Sequence, residues 1–144
     1  MNSRNLKVFV DSDVVISAVI SPNGAAHLLL TKKFPITKII SNYSTKEIIV
    51  VAKRLNLSED KFNKIIKNHD VFKLALPVKK IKEKYNHCVS DPNNSHVVAA
   101  AFKSRSQFIV TYNLKHYKTD TIKHNFGILL KTPGQFIQFL RNKR

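Results

Sequence analysis

Short apolar runs alternate along the chain with segments whose apolar residues recur every three or four positions. The runs are bounded by polar or turn-forming residues and have the length of buried strands. We predict strands over residues 6–10, 37–41, 70–76, 107–112 and 126–132. Strands that alternate with helices favour a parallel central sheet covered by helices on both faces. The pattern therefore predicts an α/β fold, a three-layer α/β/α sandwich.

Polar residues with a strong preference for helix starts precede several of the helical segments. The predicted N-caps are Asp13, Ser44, Ser58, Asp91 and Thr132. Pro92 at the first helical position supports the fourth start, and Gln135 completes a capping box for the fifth. A break at Pro22–Gly24 separates a first helix from the apolar helical stretch "GAAHLLL".

Polar side chains follow the predicted strands at the points where those strands end. Asp11 ends the first strand, the segment with Glu47 follows the second, and Asn113 follows the fourth. The loop "SDPNNS", with Asp91 and Asn94, leads into the helix before the fourth strand. Because sites in parallel sheets form at the carboxyl ends of the strands, we expect these segments to converge on one crevice.

Each of these side chains also has a local explanation. Asp11 could cap the helix that begins near Val14, and Asp13 is favoured for that role. Glu47 stands three residues after Ser44, the spacing of a capping box, which would occupy its carboxylate. Asp91 is a natural cap before Pro92, while Asn94 could be plain helix surface. His96 is expected to be a packed or surface residue, and Ser12, Thr111 and Tyr112 could only donate hydrogen bonds from outside the site.

Composition restricts the class of protein further. The 144 residues are 43% apolar, which suffices for one core, so we expect a single domain over residues 1–144. The one cysteine, Cys88, excludes an internal disulfide and fits a reducing cytoplasm. No apolar run approaches the roughly 18 residues of a membrane span, and the first residues lack the apolar core of a signal peptide.

The charge balance points to a polyanionic partner. Lysine and arginine number 25 against 9 aspartates and glutamates, a formal net charge of +16. Phosphates supply dense negative charge that basic side chains neutralise whatever the base sequence, so nucleic acid is the first candidate partner. A uniformly basic surface without such a partner would give the same composition. A phosphate-binding module of the dinucleotide type is disfavoured because the chain has no glycine-rich G-x-G-x-x-G loop.

Four blocks carry a resemblance to a known family. They are "VFVDSDVVISAVISPNGAAHLLL", "SNYSTKEIIVVAKRL", "DPNNSHVVAAAFKSRSQFIVTYNLKHYK" and "TPGQFIQFL". Their content and order resemble PIN-domain proteins, and most of all the VapC-like toxins of toxin–antitoxin systems, over about residues 6–140. The resemblance implies an α/β/α sandwich and an Mg²⁺- or Mn²⁺-dependent ribonuclease with a cluster of acids as its metal site.

The resemblance also implies site residues. Asp11, Glu47 and Asp91 match the family's metal-binding acids, whereas Asn94 stands where a further aspartate is usual. Asn113 replaces an aspartate found in many members, and His116 stands where one branch of the family often has another. The implied catalytic set is Asp11, Glu47, Asp91, Asn94 and Asn113. Two or three carboxylates with neutral oxygens and water can satisfy Mg²⁺ or Mn²⁺.

Two functional classes remain open from the sequence. The first is a toxin ribonuclease silenced by an antitoxin protein and assembled as a homodimer, with the apolar face of "GAAHLLL" as a possible interface. The second is a weak or inactive PIN module that binds RNA through its basic surface. The presence of asparagine at positions 94 and 113 keeps the second class in consideration.

Overall fold

A computed structural model of the chain describes residues 5–143 and contains a five-stranded parallel sheet. The strands are β1 (Leu6–Val10), β2 (Ile36–Ser41), β3 (Asp70–Phe72), β4 (Phe108–Val110) and β5 (Leu129–Lys131). Their order across the sheet is β3-β2-β1-β4-β5, and every adjacent pair is parallel. The predicted fold class is confirmed, and all five strands lie within or next to the predicted ranges.

Within residues 5–143, eight α-helices connect and cover the strands. They are α1 (Ser12–Ile20), α2 (Ala25–Thr31), α3 (Asn42–Arg54), α4 (Glu59–Ile66), α5 (Val78–Tyr85), α6 (Ser95–Lys103), α7 (Thr119–Phe126) and α8 (Pro133–Asn142). Short 3₁₀ turns occupy Asn86–Cys88, Pro92–Asn94 and Leu114–His116. The hydrophobic pattern does not predict α7, in which Ile122 is the one buried residue.

Alternation along the strands divides the apolar core into two layers. Val8 and Val10 of β1 face one layer, which α1 to α4 and α8 complete, and Phe9 faces the other, which α5 to α7 complete. Both faces of the sheet are therefore covered by helices, which explains why its strands are nearly continuous apolar runs.

The expected helix starts fall into two groups. Ser58 and the Thr132–Gln135 capping box cap α4 and α8 as predicted, whereas Asp91 caps the 3₁₀ turn Pro92–Asn94 that precedes α6 and not α6 itself. The predictions for Asp13 and Ser44 are wrong, because Asp11 caps α1 and Ser41 caps α3. In both corrected cases the helix begins directly at the end of a strand, so the last strand residue or its neighbour caps the helix.

The apolar face of "GAAHLLL" is not available as an interface between chains. Ala26, Leu29 and Leu30 of α2 are at most 1% exposed and belong to the core beside α1 and α8. The exposed apolar side chains of this layer instead include Ile49 and Val50 on α3 and the neighbouring Leu55. The expectation that α2 supplies a dimer surface is therefore wrong.

No single helix within the described residues is long and apolar enough to cross a membrane. Helices α1 and α2 reach the required length and composition only as a pair, with a bend of 102° between them. The buried residues of both helices lie in the protein core.

Candidate active site

The candidate site lies where the order of connections across the sheet reverses. From β1 the chain builds outward to β2 and β3 on one side, and then crosses to β4 and β5 on the other. This arrangement leaves a crevice beyond the carboxyl ends of β1 and β4, the usual position of sites in such sheets. Asp11 follows β1 directly, and Thr111, Tyr112 and Asn113 follow β4.

Asp11 is a buried carboxylate held by three donors. Its Oδ1 accepts from the Ser12 backbone N–H at 2.8 Å, which makes it the cap of α1. Its Oδ2 accepts from the Thr111 hydroxyl at 2.9 Å and from the Tyr117 hydroxyl at 2.8 Å. Asp11 therefore both caps α1 and lies in the candidate site, two roles that the sequence presented as alternatives.

Asp13 faces the same crevice from the first turn of α1. Its Oδ2 accepts from the Tyr112 backbone N–H at 3.1 Å and from the Asn113 amide at 2.9 Å. The Thr111 hydroxyl lies 3.4 Å from that oxygen, but its single proton serves the shorter contact to Asp11. The Oδ1 of Asp13 is buried and has no hydrogen-bond partner within residues 5–143.

The two aspartates disfavour each other's ionisation. Burial raises the pKa of Asp11 above its usual range, although the hydrogen bonds from Tyr117 and Thr111 oppose that change. Burial, followed by the charge of Asp11, raises the pKa of Asp13 to about 7. Two buried carboxylates of this kind are relieved either by a shared proton or by a cation.

Glu47 approaches the aspartates from α3. Its Oε1 accepts from the Ser12 hydroxyl at 3.2 Å, and its Oε2 lies 3.1 Å from Nε2 of His96 on α6. The Glu47 side chain is 41% exposed, so it stands at the mouth of the crevice, whereas the His96 side chain is only 12% exposed. The capping box with Ser44 does not form, since Ser41 is the cap of α3.

The loop with Asp91 and Asn94 is organised locally. Asp91 is exposed, and its Oδ1 accepts from the Asn93 backbone N–H at 3.0 Å. Asn94 is half-buried at the start of α6 and makes no side-chain capping bond. Neither side chain makes a described hydrogen bond to Asp11, Asp13 or Glu47. The structure thus brings Asp11, Glu47 and Asn113 together with Asp13, but it leaves Asp91 and Asn94 outside this network.

The donor chemistry of the crevice fits a divalent cation in part. Oδ2 of each aspartate accepts two short hydrogen bonds. Oδ1 of Asp11 has one donor, and Oδ1 of Asp13 has none in the described part of the chain. Because a carboxylate offers about four lone-pair sites, three such sites remain on these two atoms. No group of three His, Cys, Asp or Glu side chains arranged to hold an ion occurs among residues 5–143. The aspartate pair fits a cation, and within residues 5–143 a third carboxylate or imidazole ligand would require a side-chain movement.

Sequence reasoning does not predict two side-chain contacts of the candidate site. Tyr117 reaches Asp11 across 106 positions, and His96 reaches Glu47 across 49. Both lie in the block "DPNNSHVVAAAFKSRSQFIVTYNLKHYK" that carries the resemblance, which is the only signal that could have drawn attention to them. His116 makes only backbone hydrogen bonds within the described residues.

Basic side chains stand next to the mouth of the crevice. An open depression of about 370 Å³ is lined by Ser12, Lys46, Glu47, Val50, Val51 and Arg54. It brings two cationic side chains of α3 alongside the carboxylate of Glu47. A second groove of about 350 Å³, between α3 and α4, is lined mainly by apolar side chains and contains neither aspartate.

Comparisons with known proteins identify relatives of this fold. The family model described as PIN domain matches residues 7–115. VapBC2 from Rickettsia felis, solved with a DNA fragment from its promoter, aligns with a TM-score of 0.60 and 11% identity, over 88% of this chain and 98% of that one. FitAcB from Neisseria gonorrhoeae gives a TM-score of 0.57 and 15% identity, with coverage of 88% and 98%. FitAB bound to an IR36 DNA fragment gives 0.54 and 14%, with coverage of 88% and 94%. No curated protein matches the sequence.

Proposed function

The chain belongs to the PIN domain family, and we propose that it is a metal-dependent ribonuclease, the toxin of a toxin–antitoxin pair. The observation that carries the proposal is the pair of aspartates at the reversal of the sheet: Oδ2 of each accepts two short hydrogen bonds, while Oδ1 of Asp11 has a single donor and Oδ1 of Asp13 has none within residues 5–143. A nuclease toxin is the function that this family membership and the fold likeness to VapBC2 support best.

Asp11 and Asp13 are the residues that would hold the cation, with Glu47 facing them from α3. The set predicted from the sequence, Asp11, Glu47 and Asp91, stays a prediction, and the described contacts favour Asp13 over Asp91. An Mg²⁺ or Mn²⁺ ion bound there supplies a lowered pKa for an attacking water and neutralises charge on the phosphate.

The protein's own side chains have distinct tasks in this proposal. Thr111 and Asn113 orient the aspartates by donating to the Oδ2 atoms of Asp11 and Asp13. The Ser12 hydroxyl and His96 hold the two oxygens of Glu47. Lys46 and Arg54 line the depression at the mouth and would attract the phosphates of an RNA strand. The net charge of +16 extends that attraction over the whole surface.

An antitoxin protein and a second copy of the chain are the proposed protein partners. The structures that share this fold, VapBC2 and FitAB, are complexes solved with DNA and support an antitoxin partner. Ile49, Val50 and Leu55 are the exposed apolar side chains that could contribute to such an interface. Exclusion of the buried face of α2 leaves α3 as the better candidate surface.

A second candidate function is an RNA-binding PIN module with little or no catalysis. It is favoured by one observation, namely that residues 5–143 contain no preassembled group of three metal-ligating side chains. RNA binding by such a module would still weaken steeply as salt is raised, because the lysines release counterions from phosphates.

Cleavage of RNA in the presence of Mn²⁺ separates the two candidates. We expect the unaltered protein to cleave and the isosteric Asp11→Asn protein to lose at least about 100-fold, since several kcal/mol of charge stabilisation depends on that ligand. Mn²⁺ should also raise the melting temperature of the unaltered protein alone. Equal background cleavage by both proteins would refute the enzyme and favour the binding module.

A further inference from the structure

Tyr117 has its hydroxyl committed to the candidate site. The side chain is 4% exposed, and its OH donates to Oδ2 of Asp11 at 2.8 Å. Burial, and the neighbouring charge of Asp11, raise the pKa of Tyr117 well above its usual range, so the phenol keeps its proton and remains a donor. A phenylalanine would fill nearly the same space, so the hydrogen bond of the hydroxyl can be tested separately from the packing of the ring.

The backbone of Tyr117 is also fixed. It forms an antiparallel bridge with Val89, and two hydrogen bonds of 2.9 Å flank that bridge, from Ser90 N–H to His116 and from Lys118 N–H to Cys88. The segment 88–90 leads directly into Asp91. Tyr117 therefore joins the loop before α6 to the carboxylate that ends β1.

Counting the lone pairs of Asp11 explains what the hydroxyl does. Thr111 and Tyr117 fill Oδ2, and the Ser12 N–H takes one lone pair of Oδ1. One lone pair of Oδ1 is then the remaining acceptor of the carboxylate. Without the Tyr117 donor, Oδ2 would have a free lone pair in a buried position, and the carboxylate could rotate to satisfy it.

We propose that Tyr117 is a positioning residue of this nuclease: its hydroxyl fixes Oδ2 of Asp11 so that Oδ1 faces the cation, and its backbone holds the Asp91 loop in place beside it. The proposal rests on the proposed function for its catalytic meaning. The hydrogen bonds that orient Asp11 come from the chain's own residues, so that orientation can be tested in metal-free protein. Groups that orient a metal ligand from behind typically account for about 10–100-fold in metal affinity or activity.

The test compares Tyr117→Phe with Tyr85→Phe. Tyr85 is a matched control because it is 6% exposed, belongs to the same core cluster and packs against Phe126 instead of Asp11. Three quantities are measured in full-length protein. They are the Mn²⁺ dissociation constant by calorimetry, kcat and KM for RNA cleavage, and the amide resonance of Ser12 in metal-free protein.

We expect Tyr117→Phe to weaken Mn²⁺ binding by about 10–100-fold and to lower kcat with little change in KM. The Ser12 amide, which donates to Oδ1 of Asp11, should shift in metal-free Tyr117→Phe and stay in place in Tyr85→Phe. An unchanged Ser12 resonance in Tyr117→Phe would overturn the proposal. So would equal Mn²⁺ affinities of Tyr117→Phe and unaltered protein. If the unaltered protein binds no Mn²⁺ and cleaves no RNA, the proposed function fails, while the Ser12 resonance still decides whether Tyr117 orients Asp11.

Discussion

Asp11 and Asp91 have the same local role and very different surroundings. Each is the cap of a helical segment, and each accepts a backbone N–H within two positions along the chain. Asp11 is 6% exposed and takes two further hydroxyl donors from residues 100 and 106 positions away. Asp91 is exposed, and its described side-chain bond is the local one alone.

This difference shows that one side chain can cap a helix and also lie in a functional site. A cap engages one lone pair of a carboxylate, which leaves about three for other partners. What separates the two aspartates is their donors, because Thr111 after β4 and Tyr117 donate to Asp11, whereas the described side-chain bond of Asp91 comes from Asn93 alone. A carboxylate with raised pKa and distant donors is a better candidate for function than one with a local bond only.

The largest expected difference concerns metal binding by the two acidic segments. Asp13→Asn should weaken Mn²⁺ binding by about 100-fold, since it removes a charge whose free oxygen faces no donor within residues 5–143. Asp91→Asn should change Mn²⁺ affinity by less than about threefold, because the described side-chain bond of Asp91 is the local one and asparagine also caps helices well. Titration calorimetry on both variants makes the comparison. A loss with Asp91→Asn as large as that with Asp13→Asn would restore the ligand set predicted from the sequence.

Much of the fold follows from local sequence pattern. The strands β1 and β2 are apolar because both faces of the sheet are covered, and Ser58 and Thr132 act on residues three positions away. Such signals lie within one segment and can be found without the structure. Helix α7 has the single buried residue Ile122, so it lacks the apolar stripe on which the prediction depends.

The candidate site is less predictable because its contacts are distant in sequence. The crevice itself follows from strand ends, which is why Asp11, Glu47 and Asn113 are placed correctly near one another. The choice between Asp13 and Asp91 depends on which loop faces that crevice, and pattern does not contain that information. The contact between Tyr117 and Asp11 joins residues that are 106 positions apart in the sequence.

A smaller effect is expected in the pH dependence of metal-free stability. The pKa of Asp13 is raised to about 7, so the folded state holds a proton that the unfolded state releases near pH 4. Protonated Asp13 therefore stabilises the folded state fully below about pH 4, and this stabilisation is lost as the pH rises through about 7. It is on the order of 2 kcal/mol when the coupling to Asp11 is allowed for. The unaltered protein should therefore lose stability relative to Asp13→Asn between about pH 4 and 7.

Denaturant unfolding of both proteins with a chelator present measures that difference. The comparison with the variant is necessary because His69 acts in the opposite sense. Burial, aided by Lys38, lowers the pKa of His69 to about 4, so its contribution grows as pH rises from about 4 to 6.5. Both proteins contain His69, and its effect cancels in the difference. Parallel stability profiles would mean that Asp13 does not hold a proton in the folded state.

The smallest effect is expected at Asn94, the position where the family resemblance implies an aspartate. Asn94 lies at the start of α6, and its side chain makes no described bond to the aspartate pair. Asn94→Asp should change Mn²⁺ affinity and RNA cleavage by less than about threefold. It should stabilise the protein by about 0.3–1 kcal/mol through the positive end of the helix dipole. The exposed neighbour Asn93, changed to aspartate, is the matched control, since it adds the same charge to the same loop. A gain in cleavage above about tenfold in Asn94→Asp alone would place this loop in the active site and identify the natural protein as a PIN domain with weakened chemistry.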